Sequence, residues 1–388
     1  MTGQQSPLNK TSTPVHSMDA MLRQRETALA HDQCVLSGVS LYGQIYIGIA
    51  LYLYSHVSTP GYLSILLAAP FLLLVSLLSL WLARQADPRQ GVLRWAAGRR
   101  AGSVMAVVLA AVFWLDAQLA VYSLTAIVQN VLPNVSTLWV SLAIAVMMAI
   151  TIGGGEEHAL PRLARMLRWL ILAFFLYCLF TALPYGKMGH LFPLLGHGGG
   201  RLFQGALWIC GCLGGACCPL ILPNAGQYMG PLRSRTSLLL RPQLTALAAA
   251  ILTALLSAYL LPVYALARPE TLGWRLLLIT HVSPSVVGWS LFLCAVMFLM
   301  LITLAAGVTQ SASLLTWAAG APRAKPYIIA VLLLLQVPAA ALDLEVIEEG
   351  LTRIAPWRGA AVLLILLTLA LGALVKKGRG TPEKENAQ

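Results

Sequence analysis

The chain has 388 residues, 58% hydrophobic and 10% charged, with a mean hydropathy of +0.77. That composition excludes an ordinary soluble domain and points to an integral membrane protein set in the lipid bilayer. The formal net charge of +12 comes from basic residues lying between apolar spans, with no Lys/Arg stripe interleaved with aromatics, so no nucleic-acid partner is expected.

Residues 1–32 form a polar tail rich in Ser, Thr, Gln and Arg. It lacks the apolar core and small-residue cleavage site of a signal peptide and reads as cytoplasmic. Within it, 17–30 has the pattern of a short surface helix. Ten apolar spans follow, at about 33–54, 62–83, 101–129, 136–153, 164–184, 202–223, 238–264, 284–317, 325–342 and 357–376, and a second polar tail covers 377–388. Crossing the hydrocarbon core takes roughly 20 helical residues. Most spans reach that length, the ninth is short, and the eighth must tilt or protrude.

Lys and Arg set the expected orientation. With the N-terminus inside, 20 of the 26 basic residues fall on cytoplasmic segments, and the outside loops hold Lys187, Arg201, Arg268, Arg275, Arg353 and Arg358. This bias places both termini in the cytoplasm and favours an even number of spans.

Ten spans divide into two fives of opposite topology, about 33–184 and 202–376. The leading span of each half is rich in glycine: Gly38, Gly43 and Gly48 in the first, Gly211, Gly214 and Gly215 in the sixth. Glycine costs about 1 kcal/mol relative to Ala in a helix interior, and paired interruptions at matching places mark inverted-repeat transporters. The expected fold is therefore all-α, ten transmembrane helices in a 5+5 inverted repeat of the LeuT/amino-acid-permease type, with helices 1 and 6 interrupted. If the first span unwinds between Gly43 and Gly48, free N–H groups near Gly48, Ile49 and Ala50 would suit a carboxylate. Unwound carbonyls around Cys212, Leu213, Gly214 and Gly215 would suit an ammonium. Together they would hold an amino acid. The competing reading is that the glycines only let helices pack closely.

Asp116 is the one acidic residue deep within an apolar span. At that depth it is a candidate for holding a ligand ammonium or for proton or cation coupling, and equally for a hydrogen bond to a neighbouring helix. Asp116, Ala120 and Ser123 share a helix face, which is expected to point inward. Gln118 and Tyr122 are weaker candidates. In the eighth span, Thr303, Thr309, Gln310, Ser311 and Ser313 could coordinate a cation, although Ser and Thr in such helices more often bond the backbone one turn back. Asp343, Glu345, Glu348 and Glu349 form an acidic cluster outside that could attract cations, although it reads rather as a solvated loop. Cys210, Cys212, Cys217 and Cys218 cluster without a zinc-type C-x-x-C pair or a histidine, so no metal and no cofactor is expected. The patterns HExxH, P-loop and G-x-S-x-G do not occur, and no enzyme is expected.

Several stretches resemble one family. LPNVSTLWVSLAIAV at 132–146 matches a Leu-Pro-Asn-x-x-x-x-Trp pattern through Leu132, Pro133, Asn134 and Trp139; GGGEEHALPRLAR at 153–165 is a Gly-, Glu- and Arg-bearing cytoplasmic loop; HLFPLLGHGGGRLFQGAL at 190–207 leads into the sixth span, which ends on Leu222 and Pro223. In order and spacing these are similar to the B subunits of bacterial spore nutrient germinant receptors, relatives of amino-acid permeases. The sixth span has Gly215, Ala216 and Cys217 where that family often carries an acidic residue. The resemblance implies a membrane subunit in the inner spore membrane, beside A-type and C-type partner subunits. It would bind a small nutrient, an amino acid, and signal germination. The alternative is a proton- or cation-coupled amino-acid transporter, and a third reading is a scaffold whose broken helices serve assembly alone.

Overall fold

The computed structural model describes residues 14–57, 61–86, 91–132, 134–153, 159–192, 198–212, 236–260, 286–337 and 344–379. All regular structure among them is helical. The α-helices are α1 (Pro14–Gly48), which runs on as a π-helix over Ile49–Val57, α2 (Gly61–Gln85), α3 (Val92–Val131), α4 (Thr137–Gly153) and α5 (Ala159–Ala182). They continue as α6 (Gly199–Cys210), α7 (Thr236–Leu260), α8 (Val286–Ala319), α9 (Lys325–Leu334) and α10 (Leu344–Arg379). Their Leu, Ala, Val and Ile content explains the choice. In lipid, each unpaired backbone group costs several kcal/mol, roughly, so an apolar run closes its hydrogen bonds within itself. Among the described residues six helices are long and apolar enough to cross a membrane: His31–Leu53, Gly61–Gln85, Val92–Val131, Leu240–Leu260, Val287–Ala319 and Glu349–Lys377.

α1 is the centre. Its membrane window is buried throughout, whereas much of α10 is exposed. It lies against α7, α8 and α5. The most extensive interface joins α3 to α8. Small residues set its spacing: a Cβ on Gly307 would stand 2.7 Å from the Phe113 carbonyl oxygen. Ser311 then donates across the same interface to the Ala110 carbonyl at 2.8 Å. Near the start of α3, Gly98 takes φ 81°, a left-handed conformation that glycine enters without steric cost, and turns the 92–97 segment against the rest of the helix. Lys376 of α10 meets that segment at the Trp95 carbonyl.

Two sequence expectations change. The short surface helix at 17–30 is the N-terminal part of α1, which begins at Pro14. The tenth span begins at Leu344, so Glu345, Glu348 and Glu349 occupy the first turns of α10 rather than a solvated loop. Glu349 pairs with Arg353 one turn on, at 2.5 Å. Asp343 lies outside the described residues.

Candidate functional site: a buried ion pair at the end of α6

α6 stops at Cys210. Gly211 and Cys212 follow as a turn, closed by bonds from the Gly211 N–H to the Trp208 carbonyl and from the Cys212 N–H to the Ile209 carbonyl, both 2.9 Å. The helix thus ends near where an interruption is expected. Leu213, Gly214 and Gly215, together with Cys217 and Cys218, lie outside the described residues. The Gly211 carbonyl points to Arg358, whose Nε donates to it at 3.1 Å.

Arg358 is the residue the sequence reading misplaced. Assigned to an outside loop, it is in fact buried inside α10, and its Nη1 stands 2.6 Å from Oδ1 of Asp116. Both side chains are almost wholly enclosed, at 2% and 1% exposure. Gln44 of α1 donates from Nε2 to the other carboxylate oxygen, Oδ2, at 2.8 Å. Four helices therefore meet at one charge-neutral cluster: α1 through Gln44, α3 through Asp116, α6 through its last carbonyl, and α10 through Arg358. Desolvating two charges this deep is costly, and further polar contacts offset part of it. The Asp116 carboxylate has the guanidinium against one oxygen and the Gln44 amide donating to the other. The cluster explains why an acidic residue is tolerated in the third span.

The backbone contacts around the pair are very close. A Cβ on Gly359 would come 2.8 Å from the Cys210 carbonyl oxygen, and one on Gly211 would collide with the Ala355 carbonyl oxygen. Pro356 lies between these contacts, two residues before Arg358, and withholds an N–H from the ladder of α10.

The glycines of α1 play a different part from the one first considered. The helix does not unwind between Gly43 and Gly48: it stays α-helical to Gly48 and becomes π-helical at Ile49. Both glycines sit at crossings. A Cβ on Gly43 would strike Oγ1 of Thr303, and one on Gly48 would strike the indole of Trp208. Close packing is what they provide. Ile49 and Ala50 are fully buried at the α-to-π transition, the kind of local change in hydrogen-bond register that recurs at functional sites. Beyond it, Tyr52 stacks between Trp208, centroids 5.4 Å apart, and His56 at 4.6 Å.

Thr303 is buried and donates to the Leu299 carbonyl at 2.9 Å. Thr309, Ser311 and Ser313 likewise bond a carbonyl one turn back. Asp116, Ala120 and Ser123 are all buried. Two buried donors at the site have no hydrogen-bond partner among the described residues: Nη2 of Arg358 and Nε1 of Trp208. One signal could have found Arg358. A lone acid in a membrane core requires a counter-ion, and Arg358 is followed by the uncharged stretch 359–375.

A central helix that changes register, a second helix that ends at Cys210 and an ion pair linking the bundle around them go with the fold of membrane transporters. Solved structures agree. The chain is similar to three variants of the manganese transporter of Eremococcus coleocola, which has the LeuT-like fold, with TM-scores of 0.54, 0.52 and 0.52. Sequence identity is 15%, 14% and 15%, over 96%, 96% and 95% of this chain and 81% of each neighbour. At these identities the likeness is one of fold. No family model matches the chain, and no curated protein matches it.

Proposed function

We propose that the chain binds a small nutrient, an amino acid, beside the α-to-π transition of α1 and the end of α6, and reports its occupancy to partner subunits. The observation that carries this reading is that two buried donors, Arg358 Nη2 beside the carboxylate and Trp208 Nε1 in the last turns of α6, have no hydrogen-bond partner among the described residues. Buried donors are rarely left unpaired. A ligand carboxylate accepts from both kinds of donor, and a guanidinium is well suited to it. The ligand ammonium is assigned to carbonyls at Cys212, Leu213, Gly214 and Gly215. Ile49 and Ala50 line the site from α1, while Gly43 and Gly48 hold Thr303 and Trp208 close to the helix.

The ten-span, five-plus-five architecture is part of this proposal. Its support is that three pairs of helix contacts are mates related by a shift of five. α1 packs on α7 as α6 packs on α2; α3 packs on α10 as α8 packs on α5; α3 packs on α4 as α8 packs on α9. Both termini are assigned to the cytoplasm. Burial of Arg358 takes one charge from the outside loops and so sharpens the bias on which that orientation rests.

The resemblance of 132–146, 153–165 and 190–207 to germinant-receptor B subunits assigns the sensor role, with A-type and C-type partners in the inner spore membrane. A ligand that prefers one arrangement of the bundle shifts the population towards it. The second reading, a proton- or cation-coupled amino-acid transporter, is favoured by the fold of the neighbours. Their manganese is not carried over, because at 14–15% identity the likeness is one of fold alone.

The first test is thermal unfolding of the purified full-length chain with each of the twenty amino acids in turn. A ligand at 100 times its Kd raises stability by about 2.7 kcal/mol. At least one amino acid should shift the transition, and Trp208→Phe should weaken that shift. No shift from any amino acid would overturn the ligand assignment.

A further inference from the structure

We infer that Arg358 is a tethered cation. Its guanidinium fills the place, between the Asp116 carboxylate and the C-terminal end of α6, that a diffusible cation would otherwise have to occupy. In secondary transporters, half-helix C-terminal ends and unwound carbonyls are what coordinate a coupling ion. Here the corresponding elements are present and already face a positive charge. α6 ends at Cys210, the Gly211 carbonyl accepts from Nε, and the carboxylate takes Nη1. The negative end of the helix dipole adds to the attraction for positive charge. The site is electrically neutral with no ion from solution.

The cation is also fixed in place. α10 touches α6 through backbone on both sides of Arg358, at Ala355 and at Gly359, so the guanidinium is delivered by a crossing with no room to slide. A guanidinium does not lose its proton in proteins, unlike an amine or imidazole in the same place. An ion that binds and leaves can couple its gradient to movement of the bundle. One that is covalently attached cannot, and it holds α1, α3, α6 and α10 together at every ion concentration. The inference goes beyond the ligand assignment and does not depend on which ligand the site takes.

The test is thermal unfolding of the purified full-length protein in choline chloride and in sodium chloride of equal ionic strength, with guanidinium at millimolar concentration as a third probe. The wild-type midpoint should be the same in both salts. Arg358→Ala should lower it by roughly 5 °C, and sodium or guanidinium should restore part of that loss. Arg358→Gln, which keeps a donor for the Gly211 carbonyl but not the charge, should show the same dependence more mildly and serves if the alanine variant does not fold. Adding Asp116→Asn to either variant should remove the response. A wild-type midpoint that rises with sodium would overturn the inference, as would folded Arg358 variants that respond to neither cation.

Discussion

Exchange of Arg358 for Met and of Asp116 for Leu, singly and together, measures what the buried pair is worth. The Nη1 to Oδ1 separation is 2.6 Å, which puts the centres of charge roughly 4 Å apart. At an effective dielectric of about 20 their attraction is then about 4 kcal/mol. Desolvating the two ions costs several kcal/mol each, so the pair adds little net stability over an apolar packing. Removing one member is another matter. Arg358→Met leaves a buried carboxylate with only the Gln44 amide, and Asp116→Leu leaves a buried guanidinium on a single carbonyl. Each should cost about 3–5 kcal/mol. The double exchange removes both charges and should recover most of that loss, ending within about 2 kcal/mol of wild type once the lost Gln44 to Asp116 bond is counted. Thermal unfolding in bicelles, checked by titration with SDS in mixed micelles, gives the cycle. Losses that simply add in the double variant would refute the pairing, since groups in direct contact cannot behave as independent sites.

Further outcomes follow from the same geometry. Gly43→Ala should destabilise by about 1–3 kcal/mol through its clash with Thr303, and Thr303→Ala should relieve much of it; a clash that persists unchanged in the double variant would remove the packing assignment. Gly48→Val should disturb the stacked Trp208 and Tyr52, read as a change in tryptophan emission together with a lower midpoint; wild-type emission and stability would count against the crossing. Arg165→Ala breaks the 3.1 Å bridge to Asp32, but Arg165 is half-exposed, so the cost should be about 1 kcal/mol and diminish with salt; a loss as large as that of Arg358→Met would contradict the contrast between the pairs. Trp208→Phe keeps the ring and deletes the donor, and should weaken amino-acid binding by roughly tenfold; unchanged affinity in a calorimetric titration would take the indole out of the site.

Much of the fold was legible because the bilayer imposes it. α2 at Gly61–Gln85 and α4 at Thr137–Gly153 fall within two residues of the limits read from hydropathy, since an apolar run with no charges has little freedom in lipid. The ends were less legible where polar residues belong to a helix. α1 reaches back to Pro14 and α10 to Leu344, because a helix can carry charged turns beyond the core, where hydropathy is silent. Glycine was ambiguous for a physical reason: the same missing Cβ weakens a helix and lets a neighbour approach. Only the contacts of Gly43 with Thr303 and Gly48 with Trp208 separate the two. Asp116 was visible as an anomaly and Arg358 was not. The guanidinium sits beside Trp357 and Pro356 at the edge of an apolar run, a sequence that reads as the mouth of a loop. What buries it is a long-range crossing of α10 on α6, more than a hundred residues away in the chain.

The central claim is a transporter fold used to sense an amino acid rather than to accumulate it. The most direct measurement is the equilibrium content of proteoliposomes holding the full-length chain, incubated with a labelled mixture of the twenty amino acids, with and without an imposed proton gradient. The account predicts saturable binding in proportion to protein, with no internal concentration above the external one under either condition. Concentrative uptake driven by the proton gradient would contradict it and make the chain a coupled transporter.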